Sequence, residues 1–340
     1  MKFRRVLVSF VSIVLAVSLV VLLIKFGRIN LRLLLHQLKC VSLLAFFELV
    51  TLNGLLVYLS TEKWRSVDNV LRHATDSVPS RISAYAASST GMVLGLFLPV
   101  QLGMAAARTL ETVVHGQSLK RGTAGSLIEQ SFDVLVVGLV AVASSITYFL
   151  DGGELTWTVS ATTTIALGLF IAGPAVRLVQ KLTAFFSANV QMPRNRFLRI
   201  FLELQHMDGH HSNLARRLML LSTARFGVLI IMAGQTAAMI DLKIPFWHFG
   251  AAMPFVVIAT AVGLTPGGLG VNEFIFTSGL TAFGTRLEVA ARWSVANRML
   301  VTGACLALWA CTALVQLLVK SADSHANCST NKAAEAIIEN

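Results

Sequence analysis

Apolar runs of roughly membrane-spanning length alternate with short polar segments along the whole chain. Six of them, Val6 to Ile24, Val41 to Ser60, Ala124 to Leu150, Thr156 to Val176, Leu218 to Ile240 and Trp293 to Val319, come close to the ~20 residues a helix needs to cross hydrocarbon. Two further apolar stretches, 82–115 and 249–283, are interrupted. In the second, Leu264-Thr265-Pro266-Gly267-Gly268-Leu269-Gly270-Val271-Asn272-Glu273 cannot continue a helix. Pro266 removes an amide donor, and Gly267, Gly268 and Gly270 permit backbone shapes barred to other residues. In the first, Leu98-Pro99-Val100-Gln101-Leu102-Gly103 makes the same kind of break. Broken backbone at membrane depth persists only where protein buries it or it lines a wet cavity. The two breaks lie about half a chain apart, as expected of inverted repeats in transporters. The pattern predicts an all-α polytopic membrane protein with six full spans and two re-entrant broken-helix hairpins, one entering from each face.

Composition agrees with this pattern. Of 340 residues, 55% are hydrophobic and 13% charged, with a mean hydropathy of +0.71. A soluble domain is excluded by this balance, and sustained period-2 alternation, the mark of a β-barrel, is missing. The net charge of +11 comes from basic residues grouped between apolar runs. That grouping fits cytoplasmic loops beside anionic lipid, not nucleic-acid binding. Cys40, Cys305, Cys311 and Cys328 form no CxxC pair and imply neither a disulfide framework nor a zinc site.

These features set a topology. Lys2, Arg4 and Arg5 precede the first run, and Lys25-Phe26-Gly27-Arg28 follows it in place of a small-residue cleavage site, so an uncleaved span is expected. The segment Arg28 to Lys39 places Leu31, Leu34, Leu35 and Leu38 on one face of an interfacial helix. Glu48 falls inside the second span and is expected to face a neighbouring helix. Segment 61–81 reads as cytoplasmic, with Trp64 at headgroup level. The basic loop 177–217 is also expected inside, its residues 197–204 forming an amphipathic helix that holds the anionic leaflet through Arg194, Arg196 and Arg199. His206, Asp208, His210 and His211 match no metal-binding spacing and read as a solvated loop. Both termini are placed in the cytoplasm of a cytoplasmic membrane of bacterial type. One domain, 1–320, is followed by a disordered tail, 321–340.

Few residues within the apolar part carry charge. Arg108 follows the first break and Glu273 the second. Glu129 and Asp133 share a helix face at i and i+4; they are acid/base groups or metal ligands on one reading and structural partners of nearby arginine on the other. Arg225 either extends to the interface or points inward at these acids or at a lipid phosphate. Arg298 lies near the outer end of the last span. No P-loop or other ATPase signature is present, and no cofactor is implied.

Leu98-Pro99-x-x-Leu102-Gly103 with Arg108, Glu129 with Asp133, the run Pro266 to Glu273, and Ala290, Ala291, Ser294 and Arg298 together resemble the flippase-like family. This family comprises the transmembrane region of lysylphosphatidylglycerol synthases and its stand-alone relatives, and the resemblance covers residues 5 to 320. The chain departs from the family pattern at Gln130 and Asn272, where arginine is usual or frequent. The resemblance implies translocation of a lipid between leaflets, the headgroup being anionic or linked to polyprenyl phosphate. Bifunctional members continue into a soluble aminoacyltransferase domain. The sequence given ends at Asn340, so aminoacyl transfer is not expected. Two other functions stay open: a non-catalytic membrane partner of lipid or polysaccharide biosynthetic enzymes, and a lipid-headgroup transferase.

Overall fold

The computed structural model describes residues 14, 17–27, 29–71, 79–189, 211–262 and 265–338. The described residues are helical, with no strand among them. The helices are α1 (Val17–Phe26), α2 (Leu31–Lys39), α3 (Leu43–Leu71), α4 (Arg81–Leu94), α5 (Val100–Val114), α6 (Leu119–Phe149), α7 (Glu154–Asn189), α8 (His211–Met239), α9 (Phe246–Val262), α10 (Val271–Ala282) and α11 (Leu287–Ile338). Among the described residues, five stretches are long and apolar enough to cross a membrane: Leu43–Leu71, Arg121–Phe149, Glu154–Ala172, Asn213–Met239 and Leu287–Val319. The protein is a multi-pass membrane protein. Of the expected first span only Val14 and residues 17–24 lie among the described residues, and α1 covers the latter.

Local signals set several helix starts. Asn30 Oδ1 accepts from Leu33 N at 3.2 Å, Ser80 Oγ from Ser83 N at 3.1 Å and Ser118 Oγ from Arg121 N at 3.4 Å. Each side chain satisfies an amide that a helix N-terminus leaves without a partner.

Both predicted interruptions are present. α4 stops at Leu94, and α5 starts after Pro99, whose ring pushes Leu98 out of helical backbone. The two helices have 14 and 15 residues, about 21–23 Å each and short of the ~30 Å of hydrocarbon. They fold back on one another closely: a Cβ on Gly103 would lie 2.6 Å from Gly95 N and 2.9 Å from Gly91 O. α9 and α10, of 17 and 12 residues, pair in the same manner, with Gly279 against Ala252. A 3₁₀ turn, Pro266–Gly268, lies between them. The two breaks also meet, since a Cβ on Gly267 would lie 2.3 Å from the Leu96 carbonyl oxygen.

Trp293 anchors the apolar core. Its Nε1 donates to Ala233 O at 3.2 Å and Thr236 Oγ1 at 3.1 Å, and its ring packs on Phe249 and Phe276. Burial of its large apolar surface with a satisfied N–H ties α8, α9, α10 and α11 together.

The structure differs from the sequence reading in three places. α3 runs on through 61–71, so Lys63 and Trp64 sit inside the bundle instead of at the headgroups. α7 extends to Asn189 and α8 begins at His211, so parts of the basic loop 177–217 are helical. Segment 321–338, expected to be disordered, continues α11 to Ile338. That stretch is rich in alanine and lacks Gly and Pro, and helix propensity outweighs its polarity. Arg194, Arg196, Arg199, helix 197–204 and the His206, Asp208 and His210 side chains lie outside the described residues.

Candidate functional site

The α3 stripe Leu49, Asn53, Leu56, Ser60, Lys63 and Val67 is buried along its length. The alternating steps of four and three residues put every member on one helical face. Lys63 therefore points into the bundle, where it is fully buried. Its Nζ lies 2.9 Å from Glu129 Oε1, pairs with Asp133 and donates to Ser222 Oγ at 3.2 Å. The i, i+4 spacing of Glu129 and Asp133 on α6 lets one ammonium meet both carboxylates.

Two arginines complete the cluster. Arg108, on α5 after the first break, pairs with Glu129, donates to Ser60 O at 3.0 Å and Ser88 Oγ at 3.3 Å, and lies over the Trp64 ring at 5.7 Å. Arg225, on α8, reaches Asp133 Oδ2 at 3.1 Å and Ser60 Oγ at 3.0 Å. Three positive groups, Lys63, Arg108 and Arg225, face two negative ones, Glu129 and Asp133, for a net charge of +1. Such charges are costly in a low dielectric unless each is paired, and here each is.

A cavity of about 260 Å³ opens beside the cluster. Arg108, Glu129, Asp133 and Arg225 border it, together with the amides Gln101, Gln130, Asn272 and Asn297. Apolar side chains of α8 and α9, among them Met232, Met253 and Val256, line the rest. Both breaks contribute wall: α5 brings Val100, Gln101 and Met104, and α10 brings Asn272 and Phe276. The Arg225 and Asp133 side chains are partly exposed (19% and 16%), whereas Arg108 and Lys63 are sealed (0%).

The second break carries its own ion pair. Gly267, Gly268 and Gly270 all take positive φ. Glu273, on the first turn of α10, accepts from Gly270 N at 2.6 Å and faces Arg298 Nε at 3.6 Å. Arg298 Nη2 donates to Gly267 O at 2.8 Å, so one side chain from α11 grips the turn that starts at Pro266. Glu273 therefore takes Arg298 as its cation, while Arg108 is engaged by Glu129.

Four expected site residues, Arg108, Glu129, Asp133 and Arg225, thus come together, while Glu273 and Arg298 form a second group. Arg225 points inward. Glu48 is exposed but accepts from Gln235 at 2.6 Å, a bond between α3 and α8. Among the described residues no group of three or more His, Cys, Asp or Glu side chains is placed to hold a metal. Sequence reasoning missed Lys63, although its place on the four-and-three stripe was readable.

A family model described as the lysylphosphatidylglycerol synthase TM region matches residues 9–309. No curated protein and no solved structure matches the chain.

Proposed function

The chain belongs to the family of the lysylphosphatidylglycerol synthase TM region, and from that premise we propose that it moves a lipid with an anionic headgroup between the leaflets of a cytoplasmic membrane. One observation carries the reading: the buried +1 cluster borders a cavity walled by both backbone breaks. Taking a phosphate through hydrocarbon is costly because its oxygens lose water. A cavity that offers fixed donors replaces part of that water.

Arg225 is assigned the headgroup contact. It lines the cavity and is partly exposed, and its Nε and Nη1 bonds leave Nη2 for a ligand. Arg108 and Lys63 hold the cluster together from behind. The two short hairpins serve as re-entrant elements, and separation of their contact at Leu96 and Gly267 opens the path. The protein acts as a transporter in this reading, without headgroup chemistry. A hydrogen bond to a charged group contributes about 1.5–3 kcal/mol, so Arg225→Gln is expected to slow exchange of a fluorescent phosphatidylglycerol about tenfold or more in proteoliposomes. Wild-type exchange in Arg225→Gln would remove the assignment, and no exchange by the wild-type protein would remove the function.

A further inference from the structure

Glu273 is 4% exposed, and its Oε1 has no hydrogen-bond partner among the described residues. Its single cation among the described residues, Arg298, stands 3.6 Å away, beyond hydrogen-bond range. Glu129 and Asp133, by contrast, each hold two cations. The Arg298 side chain is 26% exposed, and Asn272 and Asn297, the neighbours in sequence of Glu273 and Arg298, both line the cavity. The pair is therefore buried on its acidic side and reachable on its basic side.

Resting on the translocation reading above, we infer that Glu273 is a proton-binding site whose occupancy is coupled to an anionic headgroup through Arg298. A headgroup phosphate that reaches Arg298 takes its charge from Glu273. A buried carboxylate left with neither a cation nor a hydrogen bond on Oε1 is unstable as an anion, and it takes a proton from water on the open side. When the phosphate leaves, Arg298 returns and the proton is released. Coupling of this kind is reciprocal: protonation of Glu273 frees Arg298 for a phosphate by the same factor.

Few other titratable groups face this acid. On α10 there is none besides Glu273, and none lies in the turn 265–270 or the first break. On α9 there is only His248, at the far end, with Nδ1 2.7 Å from Thr285 Oγ1. On α11, Arg292 and Glu288 precede Arg298 by roughly two and three turns, and Cys305 follows by about two turns and bonds to Asn53 at 3.2 Å. Arg108, on α5, is held by Glu129.

A singly charged lipid moving with one proton carries no net charge, so a pH gradient drives it and a membrane potential does not. The test uses full-length protein in vesicles with fluorescent phosphatidylglycerol, a one-unit pH gradient, and quenching of the outer leaflet as readout. At steady state the probe is expected to concentrate about tenfold in the leaflet facing the alkaline side, and to even out when an ionophore removes the gradient. In Glu273→Gln the leaflets are expected to stay equal under the gradient, whatever rate of exchange remains. Fast wild-type exchange that stays even under the gradient would overturn the coupling and leave translocation standing. Displacement that persists in Glu273→Gln would overturn Glu273 as the carrier. Absence of wild-type exchange would overturn both readings. The wild-type result alone decides the coupling if the variant does not fold.

Discussion

Glu129→Leu is expected to destabilise the protein by about 3–5 kcal/mol, the cost of breaking a buried ion pair by removing one partner. Among the described residues Arg108 then loses its only carboxylate, and Lys63 keeps Asp133 alone. The charge of the cluster rises from +1 to +2, with Arg108 and Lys63 themselves sealed from water. The double variant Arg108→Met, Glu129→Leu should regain most of the loss, because two apolar side chains of similar volume replace the pair and the remaining groups again sum to +1. Denaturant unfolding in mixed micelles, followed by tryptophan fluorescence, gives the four stabilities of the cycle, and the coupling term isolates the pair. Additive losses would mean that Arg108 and Glu129 do not depend on each other. Exchange activity separates a second issue: a stable double variant that still moves lipid would show that this pair is framework and that Arg225 acts without it.

The distribution of legible and illegible residues follows from the chemistry of each. Both breaks were readable because Pro and Gly act locally: Pro99 and Pro266 limit the backbone wherever the chain goes. Arg108, Glu129, Asp133 and Arg225 stood out because charge inside apolar sequence is costly and therefore purposeful. Pairing of the acids with arginine was one of the readings the sequence left open, but which base meets which acid was not readable, since four helices supply the partners and Arg225 reaches Asp133 across 92 positions. Lys63 was misplaced for a different reason. It falls in a polar-looking segment, Thr61 to Arg65, and local polarity was weighed above the stripe that begins at Leu49. Periodicity carried the true signal, because a helix does not end where its hydropathy falls if the same face continues to find partners. The 321–338 helix escaped for another reason: polarity was weighed above the helix propensity of a stretch without Gly or Pro.

Gly267→Ala is expected to produce the largest effect of any single-methyl change. Gly267 has φ +58, a region that costs an L residue about 1–2 kcal/mol. The added carbon would also stand 2.3 Å from the Leu96 carbonyl oxygen and 3.1 Å from Arg298 Nη2. Arg298 can swing aside, but a backbone carbonyl cannot, so overpacking adds about 1–3 kcal/mol. Gly116→Ala separates the two contributions. Gly116 has φ +80 with nothing within 4 Å of the new carbon, so it carries the backbone cost alone. The difference in unfolding free energy between the two variants therefore measures the contact between the breaks. Activity should part more sharply: Gly116→Ala is expected to exchange lipid normally, and Gly267→Ala to lose exchange, because the two breaks can no longer close on each other. If Gly267→Ala matched Gly116→Ala in both stability and exchange, the meeting of Leu96 and Gly267 would play no part in the cycle, and the path would have to open elsewhere.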